Sequence, residues 1–133
     1  MKQILNESSQ HFMEKNEMTA FNSDVKQNLV LCHNFKFTIR IDQLHNGELR
    51  YACWAKPKTI MEKPDLILLD GYVQDNVNQD RFEYYFTNGE YTYIIEKIIS
   101  GEYDRTVHIF LEILDKHNEN SAWKMTALST VKI

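Results

Sequence analysis

The sequence predicts a mainly β protein: an antiparallel meander of about seven strands, forming a small barrel, a sandwich or one strongly curved sheet, with an N-terminal helix. Three observations lead there. From Phe35 onward, apolar and polar residues alternate over several stretches, the period of a strand with one buried face. Two Asn-Gly pairs, Asn46-Gly47 and Asn88-Gly89, separate such stretches, and Asn-Gly suits a two-residue hairpin turn because both residues tolerate positive φ. With two prolines and four glycines, the 133 residues hold no recognisable linker, so one domain is expected, 1–34 helical and 35–133 sheet.

Ile4, Leu5, Ser8, Phe12 and Met13 fall on one side of a helix, and residues 14–18 continue in good helix formers. Asn22, Ser23 and Asp24 then offer a cap or a turn. The short apolar run at 29–32 fits either a strand or the end of a second helix. An amphipathic helix here would cover one end or an open edge of the sheet, where backbone groups lack partners.

In the first hairpin Phe37, Ile39 and Ile41 share a face. A two-residue turn at Asn46-Gly47 sets Ile41 opposite Ala52 and Ile39 opposite Trp54 on the core side, with Arg40 opposite Cys53 behind them. Lys56-Pro57-Lys58 ends that strand, since proline cannot donate to a ladder. Leu66-Ile67-Leu68-Leu69 is a continuous apolar run, expected to be a strand buried on both faces and to continue through Tyr72-Val73 past a bulge at Gly71. Residues 74–80 read as a polar loop.

In the second hairpin, a turn at Asn88-Gly89 sets Phe86 opposite Tyr91, Tyr84 opposite Tyr93 and Phe82 opposite Ile95, with Arg81 facing Glu96 on the other side. Each large apolar pair contributes about 0.2–1 kcal/mol over Ala–Ala. A slip of one residue would put this aromatic ladder in water. In residues 106–114, Val107, Ile109, Leu111 and Ile113 share a face, with His108, Phe110, Glu112 and Leu114 behind. After a loop at 115–121, Trp123, Met125, Ala127, Ser129, Val131 and Ile133 alternate in a last strand.

Composition removes several classes of function. The net charge of −4 opposes nucleic-acid binding, and no basic-aromatic patch outweighs it. No apolar run reaches the roughly 20 residues of a membrane span, and the first residues lack the apolar core of a secretory signal, so a cytoplasmic protein is expected. Cys32 and Cys53 are in no metal or redox spacing and read as reduced, buried thiols. The loop with Asp75, Asn76, Asn78 and Asp80 fails as a calcium loop, because Arg81 stands where glycine is needed and Thr87 where the last ligand should be Glu. His108 would need a partner from another strand to act as a base, and a histidine satisfied by one hydrogen bond is the simpler reading. No catalytic motif, metal site or cofactor site is predicted.

Two functions remain, neither catalytic; an enzyme whose site is assembled from distant residues ranks behind both. The first is a binding domain with an aromatic-lined pocket for a small apolar ligand, lined by Trp54, Phe82, Tyr84, Phe86, Tyr91 and Tyr93. The second is a protein-interaction module, inhibitor- or immunity-like, with a basic protein partner. Residues 64–104 hold two Lys/Arg against nine Asp/Glu, and Asp70, Asp75, Asp80, Glu83 and Glu90 are the candidate contacts.

Overall fold

The computed structural model describes residues 15–128. A helix α1 (Lys15–Ser23) is followed by eight strands: β1 (Val25–His33), β2 (Phe37–Leu44), β3 (Leu49–Ala55), β4 (Leu66–Asn76), β5 (Arg81–Asn88), β6 (Tyr91–Ser100), β7 (Thr106–Leu114) and β8 (Asn120–Ala127). Each pairs antiparallel with the next, and β8 returns to β1, so the meander is a closed barrel. The helix expected around Ile4–Met13 and the strand residues Ser129, Val131 and Ile133 lie outside the described residues. The sheet begins at Val25, inside the stretch read as helical, so the apolar run at 29–32 is part of a strand.

The first hairpin turns in three residues, not two. Gly47 N–H donates to the Leu44 carbonyl at 2.9 Å, Leu44 N–H donates to the Glu48 carbonyl at 2.8 Å, and Gly47 takes φ 90°. This is a tight turn closed by a glycine in left-handed conformation. The extra residue moves the register by one: Ile39 faces Cys53, Ile41 faces Tyr51, and Trp54 faces Thr38. The expected pairing of Ile39 with Trp54 is therefore corrected, and Trp54 points away from the barrel interior. All of Leu49–Trp54 is buried, so apolarity along β3 carries no mark of which side is inward.

The second hairpin is two residues out of the expected register. Asn88 pairs with Tyr91, the loop is Gly89-Glu90, and Gly89 alone takes positive φ, at 61°. Phe86 now meets Tyr93 and Tyr84 meets Ile95. A shift of two preserves every side chain's face, so the aromatics still point inward. Arg81 sits opposite Ile98, yet its Nε donates to Glu96 at 2.9 Å along the diagonal.

β4 carries one extra residue between its pairings with Tyr51 and Leu49, and Asp70 takes φ 58° there. This bulge lies at Leu69–Asp70 rather than at Gly71. It turns Leu68 and Gly71 inward while Ile67 and Tyr72 point outward. The expected double-sided burial of this strand is overturned: Ile67 and Leu69 are 46% and 47% exposed.

Inside the barrel, Ile39, Ile41, Tyr51, Phe86, Ile95 and Leu111 are among the most buried of a continuous core. Outside it, α1 lies over β2 and β3. Phe21 meets Trp54 edge-on at 6.4 Å, and the Arg50 guanidinium lies 3.6 Å from the Phe21 ring centre. Beneath them Asp42, with no exposed surface, accepts from Arg40 Nε at 2.8 Å and Arg50 Nη2 at 3.1 Å. Asn28 Nδ2 donates to the same carboxylate at 2.9 Å. One buried anion thus holds two cations, and burial drives the Arg50 pKa down against the pull of Asp42.

The barrel is closed where β8 meets β1. Among the described residues β1 and β8 share the pairs Cys32–Ala127 and His33–Thr126, extended by Leu128 N–H donating to the Leu31 carbonyl at 2.8 Å. On one side of the join Phe37 packs edge-on against Trp123, with ring centres 6.2 Å apart. On the other, Lys97 reaches from β6 to donate to the Leu29 carbonyl at 2.9 Å. Burial lowers the Lys97 pKa.

Candidate functional site

Strand alternation delivers a set of apolar side chains to one end of the barrel, and they do not fill it. A cavity of about 160 Å³ opens there. Phe37 at the start of β2 and Leu66 at the start of β4 form one wall. Leu111 and Ile113 near the end of β7 form the other. Between them stand Tyr51 and Cys53 of β3 and Tyr93 of β6, and the Tyr51 and Tyr93 rings are 5.4 Å apart. Phe86 packs on Tyr51 at 5.6 Å from within the core.

Two polar groups of the cavity, Cys53 and Tyr51, are neutral, and one carboxylate, Asp65, also lines it. Burial first, then the charge of Asp65, pushes the Cys53 thiol up to about 11, against a lowering hydrogen bond from Tyr51. The Tyr51 hydroxyl is also raised, first by burial and then by Cys53. A thiol that high is almost wholly protonated at neutral pH and is a poor nucleophile. At the rim the Asp65 carboxylate is already engaged, accepting from Lys58 Nζ at 2.8 Å and from the Ala55 N–H at 2.7 Å. The lining is therefore mostly apolar, with two uncharged polar groups, Tyr51 and Cys53, and one engaged carboxylate, Asp65.

Of the six residues expected to line a pocket, the structure brings one, Tyr93, to this cavity. Tyr84 and Phe86 are buried in the core beside or beneath it, and Phe82 packs against that core. Tyr91 has the inward parity but is 50% exposed at the end of its strand. Trp54 lies on the opposite side of the wall, fully buried, with Nε1 donating to the Glu62 carbonyl at 2.8 Å. Tyr51, Cys53, Leu66, Phe37, Leu111 and Ile113 were not singled out as ligand contacts by the sequence. Period two places the last three on inward faces, but nothing local marks the end of a strand that borders the opening.

The five expected partner contacts do not form one face. Asp70 is exposed at the β4 bulge, and Glu83 on β5 accepts from the Tyr85 hydroxyl at 2.8 Å. Asp75 pairs with Phe82 near the far end of the barrel, where Asp80 (φ 51°) binds Arg105 at 2.9 Å. Glu90 sits in the β5–β6 turn at the opposite end, 4.0 Å from Lys116. His108 Nε2 lies 3.2 Å from Ser100 Oγ on the outer wall.

Cys32 and Cys53 are both free, both buried, and separated by Ile39 on the strand between them. That arrangement sets their backbones about two strand spacings apart, roughly 9–10 Å, too far for a bridge. Among the described residues no group of three His, Cys, Asp or Glu could hold a metal ion, and no helix is long and apolar enough to cross a membrane. No family model, no curated protein and no solved structure matches the chain.

Proposed function

We propose that this protein is a non-catalytic binding domain whose barrel end takes one small, uncharged, apolar molecule. The observation that carries the reading is the unfilled cavity of about 160 Å³ between Tyr51, Tyr93, Leu111 and Ile113. Dry apolar cavities of about 150 Å³ accept molecules of the size of benzene. The ligand is therefore a single ring or a short branched alkyl group, well below drug size. The two buried thiols fit a reducing compartment such as the cytoplasm.

The test is a methyl and aromatic NMR titration of the full chain with benzene, toluene and indole as probes. The expected result is saturable shifts at Leu111, Ile113 and Tyr93 for at least one probe, abolished in Ile113→Phe, which fills the space, and retained in Trp54→Phe. Native mass spectrometry of gently purified protein would then look for a bound small molecule lost on denaturation. Shifts scattered over the outer wall, or none for any probe, would reject the reading.

A further inference from the structure

The outer wall of the barrel carries a second feature, independent of the cavity. The apolar run of β4 leaves Ile67 and Leu69 nearly half exposed, and Tyr72, the next outward residue, is 55% exposed. Ile67 pairs with Ala52, which is fully buried, so the cover over β3 stops before β4. Across the sheet the register aligns Tyr72 with Tyr85, then Ile94 and Glu112. The Tyr72 and Tyr85 rings stack in parallel, 4.8 Å apart and 3° from coplanar. In the adjoining row lie Glu83, Glu96 and the exposed Phe110.

Carboxylates frame this stack. Glu83 is held against the Tyr85 hydroxyl, and Glu112 accepts from Asn120 Nδ2 at 2.7 Å. Asp70 is exposed between Leu69 and Tyr72. Arg81, the nearest guanidinium on β5, is taken up by Glu96. Lys124 pairs with Phe110 at the far margin. An aromatic pair with Tyr72 exposed and Tyr85 half-buried, set among carboxylates, suits a guanidinium or ammonium group lying over the Tyr72 ring, with its N–H groups reaching the acids. Apolar surface beside it suits alternate aliphatic side chains. The phosphates of nucleic acid or of an anionic membrane would be repelled.

We propose that the outer face of β4–β7, centred on the Tyr72–Tyr85 stack, docks a basic protein segment that also presents apolar side chains. The acidic frame steers the segment in, and the exposed aromatic and aliphatic residues hold it. This relocates the partner contacts from the five scattered acids to Asp70, Glu83 and Glu112 with Tyr72.

The test uses a blocked heptapeptide alternating arginine and leucine, and a control with every arginine replaced by glutamate. Chemical shifts of the full chain are followed in both titrations. The expected result is perturbation of Tyr72, Tyr85, Ile94 and Phe110 by the arginine peptide alone, weakening with added salt. Tyr72→Ser and a Glu83→Gln/Glu112→Gln double variant should each weaken binding about tenfold or more while the thermal midpoint stays close to that of the parent chain. Perturbations on another surface, equal binding of the glutamate peptide, or unchanged affinity in Tyr72→Ser would overturn the proposal. So would a concentration-dependent dimer through this face in the absence of peptide, which would identify the occupant as a second copy of the chain. None of these outcomes bears on the cavity, whose residues lie on the other side of the wall.

Discussion

Gly71 lies against the face of Phe86, so closely that a methyl group built on Gly71 would stand 2.2 Å from Phe86 Cε2. The inward turn of Gly71 at the β4 bulge and the inward aromatic of β5 are one fit: only a residue without a side chain leaves the ring its place. Phe86 in turn packs on Tyr51, which lines the cavity. Gly71→Ala should destabilise the barrel by about 1–3 kcal/mol through overpacking, read from urea unfolding. Gly71→Ala combined with Phe86→Leu should cost less than the sum of the two single changes, and simple additivity would show that the ring and the glycine do not share this space.

Asp42 lies between two buried guanidinium groups and pairs with both. Asp42→Ala leaves both cations uncompensated under α1, and about 3–5 kcal/mol of stability should be lost. Phe21→Leu keeps the ion pairs and removes only the ring over Arg50, and the expected loss is about 1 kcal/mol. Equal losses for the two variants would mean that the helix, not the charges, sets the stability of this layer.

The two Asn-Gly turns should answer differently to substitution. Gly89 needs φ 61°, so Gly89→Ala should cost about 1–2 kcal/mol. Asn88 is a strand residue paired with Tyr91, and Asn88→Ala should cost less than about 0.5 kcal/mol. In the first turn Asn46 Oδ1 accepts the Glu48 N–H at 2.9 Å, so Asn46→Ala should cost about 0.5–1.5 kcal/mol. Thermal melts of the three variants check the order, and an Asn88 loss matching that of Gly89 would restore the turn expected from sequence.

Those turns also show how far the sequence could be read. Alternation located the strands of both hairpins, and on β5 and β6 it fixed the inward face even though the turn was misplaced, because a shift of two preserves parity. On β3 it failed. Tyr51 and Cys53 on one side and Ala52 and Trp54 on the other are all buried, since α1 covers the outer face, and a turn longer by one residue exchanged the two sides. The cavity was least legible, because its walls come from β2, β3, β4, β6 and β7 and exist only once the barrel has closed. Tyr93 was found through its aromatic neighbours; Cys53 and Leu66 had no local signal.

Alkaline pH should weaken the fold through its thiols. Folding raises Cys32 from 9.0 to about 12 and Cys53 from 9.0 to about 11, burial being the first cause of each. The unfolded chain therefore ionises first, and stability present below pH 9.0 is lost as pH rises towards those folded values. Urea unfolding across this range should show the decline, made shallower by a Cys32→Ala/Cys53→Ala double variant. An unchanged slope in that variant would assign the decline to other groups, among them Tyr84, which burial raises from 10.0 to about 12.

The join between β1 and β8 also sets an order in time. Every other pairing links neighbours in the chain and can form soon after a turn closes. The contact of Cys32 with Ala127 joins residues far apart in the chain and must gather the strands between them before it forms. The barrel should therefore assemble strand by strand from its hairpins and shut at this point last. In the finished molecule the amide hydrogens of Leu31 and His33, which face β8, should exchange with solvent ahead of those in β6.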